Sequence, residues 1–376
     1  MYHKLAVMGL AIFGLALLCQ PVFARDKADG LATVDICDKC HKDIHAKWAD
    51  SMHSQSMTDP IFQTAYMQAY LASGGAAKKI CLNCHAPTVL VTGDYDLKKE
   101  STKEGITCHF CHSVTDTHPD KGTRFDLKVS STMRGPTGGG AKNDYHDSVA
   151  SPLHRKSEFC AGCHEYTANG IKIMGTYSEW KDSPYAAKGI TCQGCHMPAE
   201  PIPGAGGEKG KPRVLFNHSL AGGHSIMQLR KAINVSIKAI NRGKDRITVD
   251  LEVENSGSGH YVPTGIPTRK LVLYCQVRTA DNKISKKSIS FEKIIFDHSG
   301  KELLLDSEIM LGNGTQIVKD NRIAPGEKRK EQMVFYNSPV GNITVTAWVD
   351  YLYQPQLVQP TEMRIEMNRT EQTSAP

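Results

Sequence analysis

The chain has 376 residues, enough for two domains or one large one, and is 40% hydrophobic but only 7% aromatic. Its formal charge of +6 is mildly basic. No Lys/Arg run is dense enough for nucleic acid, so that partner is excluded and the scattered basic residues read as a solvated surface.

Residues 1–24 read as a signal peptide. MYHK is a short positive region, LAVMGLAIFGLALLC is an apolar stretch of the right length, Pro21 breaks it, and VFA supplies small residues before a cut after Ala24. Leu18 is too bulky for lipoprotein processing at Cys19. No later segment is long and apolar enough to span a bilayer. The expectation is an exported chain without a transmembrane segment, in the periplasm first and at the cell exterior second.

A haem-bearing region is expected over 25–229, built of short helices and long loops. Ile44, Trp48 and Met52 recur at four-residue steps and predict a helix over 41–57. Pro60 opens a second helix through Leu71, stopped by Gly74 and Gly75. Residues 131–145 and 201–212 are rich in Gly or Pro and read as surface connectors. From Ile247, ITVDLEVE alternates apolar and polar residues, as do LVLYCQVR from Leu271 and ITVTAWVDY from Ile343. This predicts an antiparallel, Ig-like β-sandwich over 230–358, with Cys275 in its core. Residues 359–376 read as a loose polar tail. The expected class is a multidomain α+β fold.

The reason to expect haem lies in the cysteines. Of twelve, Cys19 leaves with the signal and Cys275 stands alone. The other ten form five pairs, Cys37 and Cys40, Cys81 and Cys84, Cys108 and Cys111, Cys160 and Cys163, Cys192 and Cys195, each with a two-residue gap and each followed at once by histidine. Chance placement of all five histidines has odds on the order of one in ten million. Two thiols at this spacing add across the two vinyl groups of one porphyrin, and the next side chain then lies under the iron. Disulfides or zinc explain the cysteines but not five trailing histidines. The reading is five covalent c-type haems with His41, His85, His112, His164 and His196 as proximal ligands. Roughly 30 residues of chain per porphyrin are too few to bury each one separately, so the haems must pack on one another. Flat porphyrins also account for the low aromatic content.

An iron takes two axial ligands, so five distal positions need filling or some stay open. CHKDIHAKWADSMHSQS, SPLHRKSEFCAGCHEY, TYSEWKDSPYAAKGITCQGCHMP and GHYVPTG resemble multihaem c cytochromes of the hydroxylamine oxidoreductase superfamily. That group includes the tetrahaem cytochrome that takes electrons from hydroxylamine oxidoreductase. The resemblance implies stacked and edge-to-edge haems, most irons held by two histidines, the second from far along the chain. By position it implies His53, His146, His154, His218 and His260 as distal candidates. His224 is a sixth, because Gly222 and Gly223 let its backbone approach a porphyrin; it reads equally as an alternative ligand, a propionate partner or a solvated side chain. His45, His109, His118 and His298 rank lower.

Three functions follow. The first is electron transfer between redox proteins, such as cytochromes, quinol-oxidising membrane systems or terminal reductases, along closely packed haems. The second is an oxidoreductase of small nitrogen or sulfur compounds with one open iron, at His85 or His112. The third is a subunit of an extracellular cytochrome filament.

Overall fold

The computed structural model describes residues 30–118, 124–137, 145–206, 212–336, 340–355 and 362–376. The expected signal peptide lies outside them. No helix among the described residues is long and apolar enough to cross a membrane.

The motif-bearing region is a run of short helices. The first expected helix covers Lys42–Ala49 and stops short of Met57. Ser54 Oγ turns back to donate to the carbonyls of Ala49 and Ser51, and a 3-10 turn, Ser54–Met57, follows. Serine hydroxyls that compete for backbone partners end helices in this way. The second helix, Pro60–Ala72, forms as expected. Asp59 caps it by accepting from Phe62 N, Pro60 occupies the first turn, and Gly74 and Gly75 leave it at positive φ.

Two expected connectors contain strands. Thr132–Gly135 pairs in parallel with Asp147–Ala150. Ala199–Gly206 pairs antiparallel with Pro212–Phe216. Turn-forming residues dominate both segments, and the pairing partner rather than local propensity makes them extended.

From Ile233 onward the chain is mostly antiparallel sheet. One sheet has Ile247–Asn255 at its centre, flanked by Ile233–Arg242 and Lys328–Phe335. The other runs Gln316–Asp320, Ile284–Phe296, Arg269–Thr279, Ile343–Tyr353, Met363–Ser374. Val249, Leu251 and Val253 of the first and Leu271, Leu273, Cys275 and Val345 of the second share one buried cluster. Cys275 is a core residue, as expected.

The expected loose tail is instead a full edge strand. Met363–Ser374 pairs with Ile343–Tyr353 along its length, and Met367 is buried in the shared cluster. Its outer face is polar, with Arg364 against Asp350 and Arg369 against Glu366. Those charges hide the apolar alternation of Met363, Ile365 and Met367.

The two regions are joined by specific contacts. Ile61 packs on the sheet cluster. Tyr166 Oη donates to Met310 O at 2.9 Å, and Asn169 Nδ2 donates to Gly312 O at 2.6 Å. Arg322, from the sheet region, meets Glu179 of the Thr176–Lys181 helix at 2.7 Å, both nearly buried.

Candidate haem-ligand site

Each Cys-x-x-Cys-His motif lies on a helical turn. The helices Ala77–His85, Glu158–His164 and Cys192–His196 contain three of them, and Cys108–Cys111 carries a fourth up to its histidine. In the first motif, Cys40 N and His41 N both donate to Cys37 O, at 3.2 and 2.9 Å. On such a turn, residues at i, i+3 and i+4 share a face, so the two sulfurs and the imidazole point the same way. Thr107 and Thr191 cap two of these turns through their hydroxyl oxygens. Gly162 of the fourth motif has a packing reason: a Cβ there would meet the Phe125 ring at 2.3 Å.

None of the ten motif cysteines is in a disulfide. Thiols of different motifs lie close enough to affect one another's ionisation: Cys37 and Cys108, Cys84 and Cys163, and Cys160 and Cys192. The first motif therefore lies beside the third, the second beside the fourth, and the fourth beside the fifth.

Two of the motif cysteines differ from the rest in exposure. Cys40 and Cys195 are exposed, whereas the other eight are partly buried. Cys40 follows the Val34–Asp38 helix on a turn whose neighbours Lys39, His41 and Lys42 are exposed as well. The charged lysines on either side hold that turn at the surface, so the first attachment point lies at the rim of the region.

The motif histidines are anchored through one nitrogen. His85 Nδ1 contacts Ser56 O at 3.1 Å, His112 Nδ1 contacts Arg134 O, and His196 Nδ1 contacts Ala221 O at 2.7 Å. A backbone carbonyl on Nδ1 orients the ring and leaves the Nε2 lone pair for a metal. Burial holds His85 and His112 down to about 4 and His164 to about 3, so these rings are neutral near pH 7, the form that ligates.

Four distal candidates sit opposite motif histidines. Ring centres are 6.1 Å apart for His41 and His146, 6.3 Å for His53 and His164, 6.4 Å for His196 and His260, and 5.8 Å for His112 and His154. Two imidazoles on opposite sides of one metal, with metal–nitrogen bonds of about 2 Å, have ring centres about 6 Å apart. The residues present therefore fit a bis-histidine iron. His260 reaches this position from the sheet region. Its Nδ1 is held by Ser258 Oγ at 3.0 Å and Tyr261 O at 2.9 Å. His154 is oriented differently: Nε2 contacts Cys111 O at 3.1 Å, and Nδ1 is the buried nitrogen without a partner.

The remaining candidates are not brought opposite a motif ring among the described residues. His218 has its Nδ1 against Phe216 O at 2.6 Å, the same anchoring pattern as the motif histidines. His224 is exposed. The neighbour of His85 is Phe62, stacked at 3.7 Å. His45 and His118 sit against Asp38 and Asp126. His109 is buried and bonded to Ala32 N and Ser130 O, a structural role.

Some residues next to the site carried no sequence signal. The Glu179 carboxylate accepts from Arg322 Nη1, Thr264 Oγ1 and Tyr261 N, which fixes the loop after His260.

Repeated cysteine turns with imidazoles facing across a metal-sized gap are the arrangement expected of a multihaem c-type cytochrome. The comparisons agree. Residues 36–113 match the family described as Cytochrome c554 and c-prime. The fold is similar to that of a penta-heme cytochrome c552 from Thermochromatium tepidum, with a TM-score of 0.72 and 21% identity over 92% of this chain and 99% of that one. A beta-glucosidase from Kluyveromyces marxianus aligns with a TM-score of 0.20 and 11% identity over 39% of this chain and 14% of that one, too weak to carry an argument. No curated protein matches the chain. Together with the repeated motifs, these findings support reading the chain as a multihaem c-type cytochrome.

Proposed function

We propose that the chain is an exported pentahaem cytochrome that passes electrons between redox partners along closely packed, mainly bis-histidine haems. The haems are attached at Cys37 and Cys40, Cys81 and Cys84, Cys108 and Cys111, Cys160 and Cys163, and Cys192 and Cys195. His41 is paired with His146, His164 with His53, His196 with His260, and His112 with His154. The observation that carries the reading is the spacing of these four ring pairs, 5.8–6.4 Å. The closeness of thiols from different motifs supports close haem packing. When bound, each haem supplies one-electron exchange between ferric and ferrous iron. The chain's own role is to hold neutral ligands in place, exclude water and set the field around each iron.

On this reading the sheet region is an Ig-like sandwich tied to the haems through His260. The protein belongs among the hydroxylamine oxidoreductase-like cytochromes and works in the periplasm. Its partners are other cytochromes, quinol-oxidising membrane systems or terminal reductases.

One observation favours a second reading. His85 faces no second imidazole among the described residues; its ring neighbour is Phe62. An iron there with an open position would make the protein an oxidoreductase of small nitrogen or sulfur compounds. Haem quantified per chain, with EPR of the ferric protein, separates the two. Low-spin signals alone support the electron carrier. One high-spin haem per chain supports the second reading, and added nitrite, hydroxylamine or sulfite then converts that signal. Fewer than five haems per chain would sink the pentahaem assignment.

A further inference from the structure

Alternation puts Ile247, Val249, Leu251 and Val253 on the buried face of their strand, and the next inward position is Asn255, which is fully buried. A buried amide costs free energy unless it is paired, so a polar residue at an apolar position needs a reason. Its partners supply one. Asn255 Nδ2 donates to His260 O at 2.9 Å and to Ile323 O at 3.1 Å, and its Oδ1 accepts from Ser258 N at 3.1 Å. Ser258 and His260 lie in the loop after the strand. Ile323 belongs to the bridge with Val262 that closes the same loop.

Ser258 continues the arrangement. It is buried, its Oγ lies 3.0 Å from His260 Nδ1, and it donates to His260 O at 3.1 Å. The Tyr261 carbonyl is also 2.9 Å from Nδ1. A carbonyl can only accept, so Nδ1 carries the hydrogen and shares it between Tyr261 O and Ser258 Oγ. Nε2 keeps its lone pair for a metal. The loop is pinned from its other side too. Gly257 N donates to Ala232 O at 3.2 Å, and a Cβ on Gly257 would meet Lys231 O at 1.9 Å, so no larger residue lets the chain pass. The ring is thus fixed in its plane as well as its place. The planes of His260 and His196 differ by 9°, against 17°, 31° and 42° for the other three facing pairs.

We propose that Asn255 and Ser258 are positioning residues for the haem attached at Cys192 and Cys195. Ser258 holds the plane of the His260 ring, Asn255 holds Ser258 and the His260 backbone, and the end of a sheet strand thereby sets the ligand field of that iron. These roles rest on the proposed pairing of His196 with His260. Two imidazoles with parallel planes split the d orbitals of a ferric iron differently from two crossed ones, so the EPR g values report the angle. An acceptor on Nδ1–H also makes the ring a more basic ligand, which favours ferric iron and lowers its reduction potential.

The test uses the full-length, haem-loaded protein with Ser258→Ala, Ser258→Thr, Asn255→Leu and His260→Ala. Haem per chain is measured first, then ferric EPR and an optical redox titration. His260→Ala marks the low-spin signal that belongs to the pair. In Ser258→Ala the expected result is unchanged haem content, g values of that same signal moved toward those of crossed rings, and one midpoint shifted upward. Ser258→Thr, which keeps the hydroxyl, should restore both. Asn255→Leu should move the same signal and no other. Full haem content with every g value and midpoint unchanged in Ser258→Ala would overturn the proposal, even with a lower melting temperature, because lost stability alone means a packing role. If Asn255→Leu does not fold, the two Ser258 variants decide. A His260→Ala protein that keeps every low-spin signal would instead sink the pairing of His196 with His260, and these roles with it.

Discussion

The two regions of the molecule are stabilised differently. Between the large sheets runs a single continuous cluster of aliphatic side chains. In the motif-bearing region the buried apolar residues fall into small separate groups, such as Met57, Leu82, Ala86 and Val89, or Phe110, Val114 and Phe125. Between these groups lie cysteines and histidines rather than more leucine and valine. Short helical turns of four or five residues are not stable alone. The lesson is that the sheet region carries its own core, whereas the buried apolar groups of the motif-bearing region are small and separate, as the proposed haem reading expects.

The comparison can be broken most directly by blocking haem attachment. Expressed without it, the motif-bearing region should lose most of its amide protection while the strands from Ile233 onward keep theirs, read by hydrogen exchange. Equal protection in both regions would end the distinction. Next, Leu273→Ala, at a fully buried position of the sheet cluster, should cost about 2–5 kcal/mol. Denaturant melts should register this loss, and the absorption of the haem at His41 should stay unchanged. A third change probes the seam. Glu179→Gln removes the charge that accepts from Arg322, Thr264 and Tyr261, at a cost of about 1–3 kcal/mol. It should loosen the His260 loop, so a high-spin fraction should appear at the fifth motif and nowhere else.

The smallest effect concerns pH. Burial pushes the Glu104 carboxyl up to about 7, although it accepts from Val34 N at the start of the Val34–Asp38 helix, which carries Cys37 of the first motif. The folded state thus holds this proton more tightly than the unfolded chain. Its contribution is fully present below the ordinary carboxylate range and is lost as pH rises toward 7. Glu104→Gln, which cannot ionise, should raise the thermal midpoint above pH 7 by roughly a degree or two, with little change at pH 4. An equal gain at both pH values would show that the cause is not ionisation.

Sequence alone determined what is local. The two-residue gap and trailing histidine are matched to one porphyrin by covalent geometry, so the candidate attachment sites and proximal ligands were nameable from spacing. Alternation in Ile247–Asn255, Arg269–Thr279 and Ile343–Tyr353 is likewise a local pattern, and the structure has strands there. Tertiary structure decided everything that depends on a partner far along the chain. The ten motif cysteines read alike, yet Cys40 and Cys195 stand exposed while the others are partly covered, because burial depends on what packs alongside. Met363–Ser374 is a strand because Ile343–Tyr353 offers it a ladder, which its polar composition conceals. His53, His146, His154 and His260 were nameable as candidates, but which ring each faces depends on packing between segments far apart in the chain. His218 matches them in sequence context and still faces no motif ring among the described residues. Glu179 had no signal at all. Its role comes from the donors it satisfies, Arg322, Thr264 and Tyr261, and those meet it only once the two regions of the chain are packed together.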